Sequence, residues 1–168
     1  MPGNARTARA ILDGKFHARL KPKDISSDEK SGCSREVYRV GKVVYKLNYQ
    51  TDNEIEYACL THFADREWAS PVSLFDIDGY KVLCMPFYPL IADIDPDFDC
   101  VEYEDLTEYG KSVRDRIDVY SDSWRGWADT QDGGTTAEPD FHHGNYRILR
   151  DGTIKIIDAA GTMWHERW

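Results

Sequence analysis

The chain has 168 residues, 30 acidic against 21 basic side chains, a net charge of −9, and 41% apolar residues. That length and balance suit one folded domain and exclude wholesale disorder. No apolar run reaches the roughly 18 residues of a membrane span, and the acidic surplus argues against nucleic acid, whose phosphates need a basic face.

The first 24 residues run against the overall charge: Arg6, Arg9, Lys15, Arg19, Lys21 and Lys23 face only Asp13 and Asp24. Leu12, Phe16 and Leu20 recur every four residues and predict a short amphipathic helix. It reads as an extension that docks on the following domain, with a membrane-surface or targeting segment as the alternative. Val37, Tyr38 and Val40 then lead through Gly41-Lys42 into a second β-rich run over 43–47, two strands around a tight turn. Thr51 and Glu54 have the spacing of a capping box. The helix they open is expected to reach about Phe63, with Ile55, Cys59 and Phe63 on its buried side. Residues 72–75 and 80–85 predict a hairpin turned at Asp78-Gly79.

The acidic stretch over 93–105 reads as a connecting loop. Asp93, Asp95, Asp97, Asp99 and Glu104 match the ligand positions of a calcium loop, but Phe98 stands where glycine is needed and Pro96 stiffens the chain. Leu106, Tyr109, Val113, Ile117, Tyr120, Trp124 and Trp127 step by threes and fours, which predicts a long helix with a bulky apolar face. Two glycines within 131–136 end it. Runs over 146–149 and 154–157 flank Arg150-Asp151-Gly152, a hairpin with Asp-Gly turn chemistry. The order of elements predicts an α+β, two-lobed fold rather than alternating βαβ units. The four cysteines, Cys33, Cys59, Cys84 and Cys100, lack paired or ligand-like spacing. They read as thiols of a reducing, cytoplasmic setting.

Chemistry concentrates in Asp140-Phe141-His142-His143-Gly144-Asn145 and in Asp158 beyond the hairpin. A carboxylate, an amide and a second carboxylate are hard oxygen donors of the kind that suit Mg²⁺, which stays partly hydrated and leans on substrate phosphates. Adjacent histidines seldom ligate one ion, so His142 and His143 do not read as a zinc site. Each acidic residue also has a plainer reading, Asp140 as a turn residue and Asp158 as a strand-end cap. Lys46 has one too, as an edge-strand charge.

The spacing of Asp140, Asn145 and Asp158 resembles the catalytic and metal-binding loops of the protein-kinase-like superfamily. The form D-x-H-x-G-N is nearer to its aminoglycoside-phosphotransferase-like and other atypical members. Upstream, the run from Ser31 to Val40 resembles the nucleotide-covering loop, and Val43-Val44-Tyr45-Lys46 the strand whose lysine reaches the α- and β-phosphates. Glu56-Tyr57-Ala58-Cys59-Leu60 resembles the helix whose glutamate pairs with that lysine, while Glu54 competes for the role. Val82–Tyr88 resembles the fifth strand running into the hinge. The landmarks span residues 31–161 in the family's order.

The resemblance implies a basic extension over 1–24 and a kinase-like domain over 25–168. Its antiparallel N-lobe sheet would occupy about 25–88, and a reduced helical C-lobe about 89–168. It implies an ATP- and Mg²⁺-dependent phosphotransferase acting on a hydroxyl of a protein or small molecule. Gly32 and Ser34 would cover the nucleotide, the Pro86 carbonyl and Tyr88 N–H would recognise adenine, and Lys46 held by Glu56 would position phosphates. Asn145 and Asp158 would hold Mg²⁺, and Asp140 would orient the acceptor.

Departures are specific. Gly32 is the one glycine of the usual three, with Lys30 and Arg35 in the other places, and Glu138-Pro139-Asp140 replaces histidine-arginine-aspartate. Alanines follow Asp158 where an aromatic residue is usual, and seven residues follow Gly161, where an activation segment and docking helices would be expected. The alternative is therefore a degenerate kinase serving as a nucleotide-binding or protein-binding module.

Overall fold

The structure is a computed structural model and describes residues 25–27, 36–48, 52–77, 80–91, 101–131 and 143–159. These form an α+β chain with an antiparallel five-stranded sheet. They fall into two compact units: one built from the chain up to Thr61 with Pro71–Phe87, the other from His62–Ser70 with the chain from Tyr88 onward.

The first unit holds strands β1 (Ile25–Ser27), β2 (Glu36–Val40), β3 (Val43–Asn48), β4 (Ser73–Ile77) and β5 (Tyr80–Pro86), in the order β1-β2-β3-β5-β4. β2 and β3 pair from Val40↔Val43 outward, and Gly41 takes the left-handed conformation (φ +60°) that so tight a connection requires. β5 then pairs with β3 from Val43↔Pro86 to Asn48↔Lys81. Val82, Leu83 and Met85 on β5 are buried, as expected of an interior strand covered on both faces. β1 went unread in the sequence, because three residues with two serines carry no pattern.

Helix α1 (Asp52–His62) joins β3 to β4. Thr51, proposed as its cap, lies outside the described residues. Its buried positions are Asn53, Glu56, Cys59 and Leu60, whereas Ile55 and Phe63 are half-buried. Of the expected inner face, Cys59 is buried, and Ile55 and Phe63 are corrected. The helix is rotated so that two polar side chains point inward, where each has buried partners that offset its desolvation.

The second unit is organised by helix α2 (Glu108–Ala128), entered from a short 3₁₀ turn at Tyr103–Asp105 within the stretch read as loop. Thr107 caps it, its side-chain oxygen accepting the Gly110 N–H at 3.0 Å. Gly110, Val113, Ile117, Tyr120, Trp124 and Trp127 are buried. Tyr109 is 48% exposed, a second correction. Extended back from Val113, a 3.6-residue period falls between 109 and 110, and the helix sets Gly110 inside.

Strands β6 (Tyr146–Ile148) and β7 (Ile154–Ile156) form the closing hairpin, paired Tyr146↔Ile156 and Ile148↔Ile154, with these four side chains buried. The Gly152 N–H bonds to the Leu149 carbonyl at 2.9 Å, and Gly152 has φ +84°. This is the three-residue hairpin turn whose last position favours glycine. Residues 67–70 lie along β7: Ile156 N–H donates to the Trp68 carbonyl at 3.0 Å and the Ser70 hydroxyl donates to the Ile156 carbonyl at 2.6 Å. Trp68 stacks tilted on Tyr120 at 5.3 Å between ring centroids.

Trp124 is fully buried, and its indole N–H donates to the Ala159 carbonyl at 2.8 Å. Trp124→Ala is expected to cost about 3–5 kcal/mol, the usual loss for emptying a large aromatic site. Urea denaturation followed by far-UV circular dichroism measures it, and a loss under about 1 kcal/mol would place the indole outside the core that matters. Among the described residues no helix is long and apolar enough to cross a membrane.

Candidate functional site

Lys46 sits on β3 between Val37 on β2 and Leu83 on β5 in register. Its side chain is only 5% exposed, and that of Glu56 on α1 is fully buried. The Lys46 ammonium donates to both carboxylate oxygens of Glu56, at 2.7 and 2.9 Å. Ion and counter-ion are thus matched at short range, the condition under which a buried charge is tolerated. Glu54, its sequence competitor, is 44% exposed and lies 3.4 Å from Lys81, which also donates to Asp76 at 2.8 Å.

Asn53, which sequence reasoning missed, is fully buried one helical turn before Glu56. Its amide nitrogen donates to the Lys46 carbonyl and to the Lys81 carbonyl, both at 2.7 Å. The available signal was its spacing: Asn53, Glu56 and Leu60 share one face at i, i+3 and i+7. Cys59, on the same inner side of α1, has its thiol pushed up to about 12 by burial and by the nearby Glu56 charge. It stays protonated near neutrality and is a poor nucleophile. Burial likewise raises the Cys84 thiol on β5 to about 12.

At the end of β5, the Phe87 N–H donates to the Lys42 carbonyl at 2.8 Å. That bond makes 42 and 87 a hydrogen-bonded pair, so the alternation of an antiparallel ladder turns the Pro86 carbonyl away from β3. The Arg39 guanidinium lies 3.5 Å over the Phe87 ring. Tyr88, the first residue of the second unit after β5, is half-buried. Burial raises its phenol above the usual range, and a hydrogen bond with Ser70 partly offsets this.

In the second unit, Asn145 ends the 3₁₀ turn His143–Asn145 just before β6, and Asp158 follows β7. The hairpin brings these two positions together. The Asn145 carbonyl accepts the Ile157 N–H at 2.9 Å and the Asp158 N–H at 3.2 Å. Asp158 is half-buried, and Ala159 beside it is buried and held by Trp124. An amide and a carboxylate are hard oxygen-donor types, the chemistry that suits Mg²⁺. Among the described residues no three His, Cys, Asp or Glu side chains converge on a metal-sized site.

The remaining sequence candidates, Gly32, Ser34 and Asp140, lie outside the described residues, as does His142. Lys46 and Glu56 are brought together within the first unit, and Asn145 and Asp158 within the second. Set against known proteins, the chain matches no family model and no curated protein.

Proposed function

We propose that the chain is a minimal kinase-like phosphotransferase that uses ATP and Mg²⁺ to phosphorylate a hydroxyl of a protein or small molecule. In this reading the five-stranded unit is the N-lobe and the α2 unit a reduced C-lobe. The observation that carries it is the buried Lys46–Glu56 pair. A buried ion pair is weak evidence of stabilisation, since a hydrophobic replacement of similar volume is often as stable or more so. Holding an ammonium on a central strand with a helical carboxylate therefore calls for a ligand-directed reason, and a triphosphate supplies one.

Lys46 would contribute charge to the α- and β-phosphates while Glu56 fixes where its ammonium sits. The Pro86 carbonyl and Tyr88 N–H would meet adenine, and Gly32 and Ser34 would cover the phosphates. Asn145 and Asp158 would hold Mg²⁺, which when bound neutralises charge developing on the transferred phosphoryl group. Asp140 would orient the acceptor hydroxyl and take its proton. A binding module is the second reading, favoured by Gly32 being the one glycine in the covering loop.

Calorimetric titration tests the site. MgATP is expected to bind the wild type, and Asp158→Ala should weaken that binding by about 10- to 100-fold, the scale of one charge-assisted contact. Binding that is indifferent to Asp158→Ala and to chelation of Mg²⁺ would remove the metal assignment. Incubation with radiolabelled ATP separates the two readings: label in protein or small molecule supports transfer, and binding with no turnover supports the module.

A further inference from the structure

We infer that Asn53 is a positioning residue that pins α1 to β3 and β5 and so keeps Glu56 in register with Lys46. The inference deepens the phosphotransferase reading and rests on it for its functional consequence, though not for its geometry.

Glu56 meets Lys46 through both carboxylate oxygens with α1 at its observed height and rotation over the sheet. A helix joined to a sheet at its ends can slide or roll about those ends, and one ion pair does not prevent this, because a long lysine side chain follows. Asn53 removes that freedom. Its amide lies three residues before Glu56 on the same face, fully buried, and grips the carbonyls of two different strands at 2.7 Å each.

One of those carbonyls belongs to Lys46 itself. The residue that carries the ammonium is therefore bonded at its backbone by Asn53 and at its side chain by Glu56, both from one turn of one helix. A third contact reinforces the same register from outside, since Glu54 faces the Lys81 ammonium at 3.4 Å while Asn53 holds the Lys81 carbonyl. Moving α1 along its axis by a single residue would break both Asn53 bonds together, the buried one to Lys46 and the part-buried one to Lys81. Losing two such hydrogen bonds, one of them fully buried, shifts a closed-to-open equilibrium by roughly 10- to 100-fold.

The test follows the reactivity of Lys46. The wild-type chain and Asn53→Ala are treated briefly with acetic anhydride, and acetylation of each lysine is quantified by mass spectrometry. Lys155 is the internal control: it lies in the second unit, where its ammonium donates to the Glu67 and Ala69 carbonyls. Asn53→Ala is expected to raise Lys46 acetylation by roughly 10- to 100-fold relative to Lys155, with circular dichroism unchanged. Unchanged Lys46 reactivity in the folded variant overturns the inference. Should Asn53→Ala not fold, hydrogen exchange on the wild type decides. A pinned helix exchanges its amides over 55–60 no faster than the buried amides of β3 and β5, and exchange faster by orders of magnitude shows α1 moving independently and also overturns it.

MgATP titration of the same two proteins adds the functional arm, with affinity expected to fall about tenfold in Asn53→Ala. A wild type that binds no nucleotide sinks the phosphotransferase reading while leaving the acetylation and exchange results to judge Asn53. Nucleotide binding with unaltered Lys46 reactivity does the reverse.

Discussion

Asp140→Asn is expected to lower phosphoryl transfer by about 10²–10⁴-fold, the usual contribution of a positioned general base, while leaving MgATP affinity within a few fold. The proposed carboxylate orients the acceptor hydroxyl and takes its proton, which is needed in the transition state more than in the bound complex. Asparagine keeps the size and a hydrogen-bonding shape, so the turn through His143 and Asn145 should survive the change. Calorimetry for binding and radiolabel transfer for turnover separate the two quantities in one variant. Turnover at the wild-type rate would mean that Asp140 is misassigned even if the enzyme is real. A wild type that binds ATP yet shows no transfer with any divalent metal would replace the enzyme with the binding module.

How much of this was legible beforehand depended on what kind of signal each element leaves. Helix α2 was readable because bulky apolar residues recur from Val113 to Trp127 at helical spacing, and burial at those positions follows from that pattern. The β6–β7 hairpin was readable because its turn demands Asp-Gly chemistry and the structure gives Gly152 a positive φ. The Asn145–Asp158 proximity follows once the hairpin is placed, since the two residues flank its ends.

Helix α1 is legible in place and at Cys59, but its inner face is turned toward Asn53 and Glu56 and away from Ile55 and Phe63, for a definite physical reason. Periodicity assigns the inner face to apolar residues, yet this helix buries Asn53 and Glu56 because the sheet offers them two carbonyls and an ammonium. A hydrophobic pattern cannot register that compensation. Lys46 and Glu56 were selected by their order along a resemblance and not by composition. The choice between Glu54 and Glu56 is explained only by which side of α1 faces β3. The segment His62–Ser70 gave no warning that it belongs with the second unit. Part of its attachment runs through backbone carbonyls of Glu67, Trp68 and Ala69, which carry no sequence identity, and the side-chain part, from Glu67, Trp68 and Ser70, meets partners far along the chain at Arg116, Tyr120 and Ile156.

The largest separation of stability from function should come from the ion pair itself. Lys46→Met alone is expected to destabilise the fold by about 3–5 kcal/mol, because it removes the cation that offsets a fully buried carboxylate. Glu56→Leu alone should cost a similar amount by exposing the ammonium to an apolar surrounding. The double variant, Lys46→Met with Glu56→Leu, should recover most of that loss and unfold within about 1 kcal/mol of the wild type, since neither desolvated charge remains. Its MgATP affinity should nevertheless fall by about 10- to 100-fold, the worth of a charge-assisted contact to phosphate. Urea denaturation of the four proteins gives the stability cycle, and calorimetry on the two folded end members gives the binding. If the double variant is as unstable as the two single losses added together, the pair is a structural element and its argument for function lapses. If it is stable and binds MgATP like the wild type, Lys46 does not meet phosphate. Recovered stability with lost nucleotide binding is the outcome expected of a pair kept for its ligand.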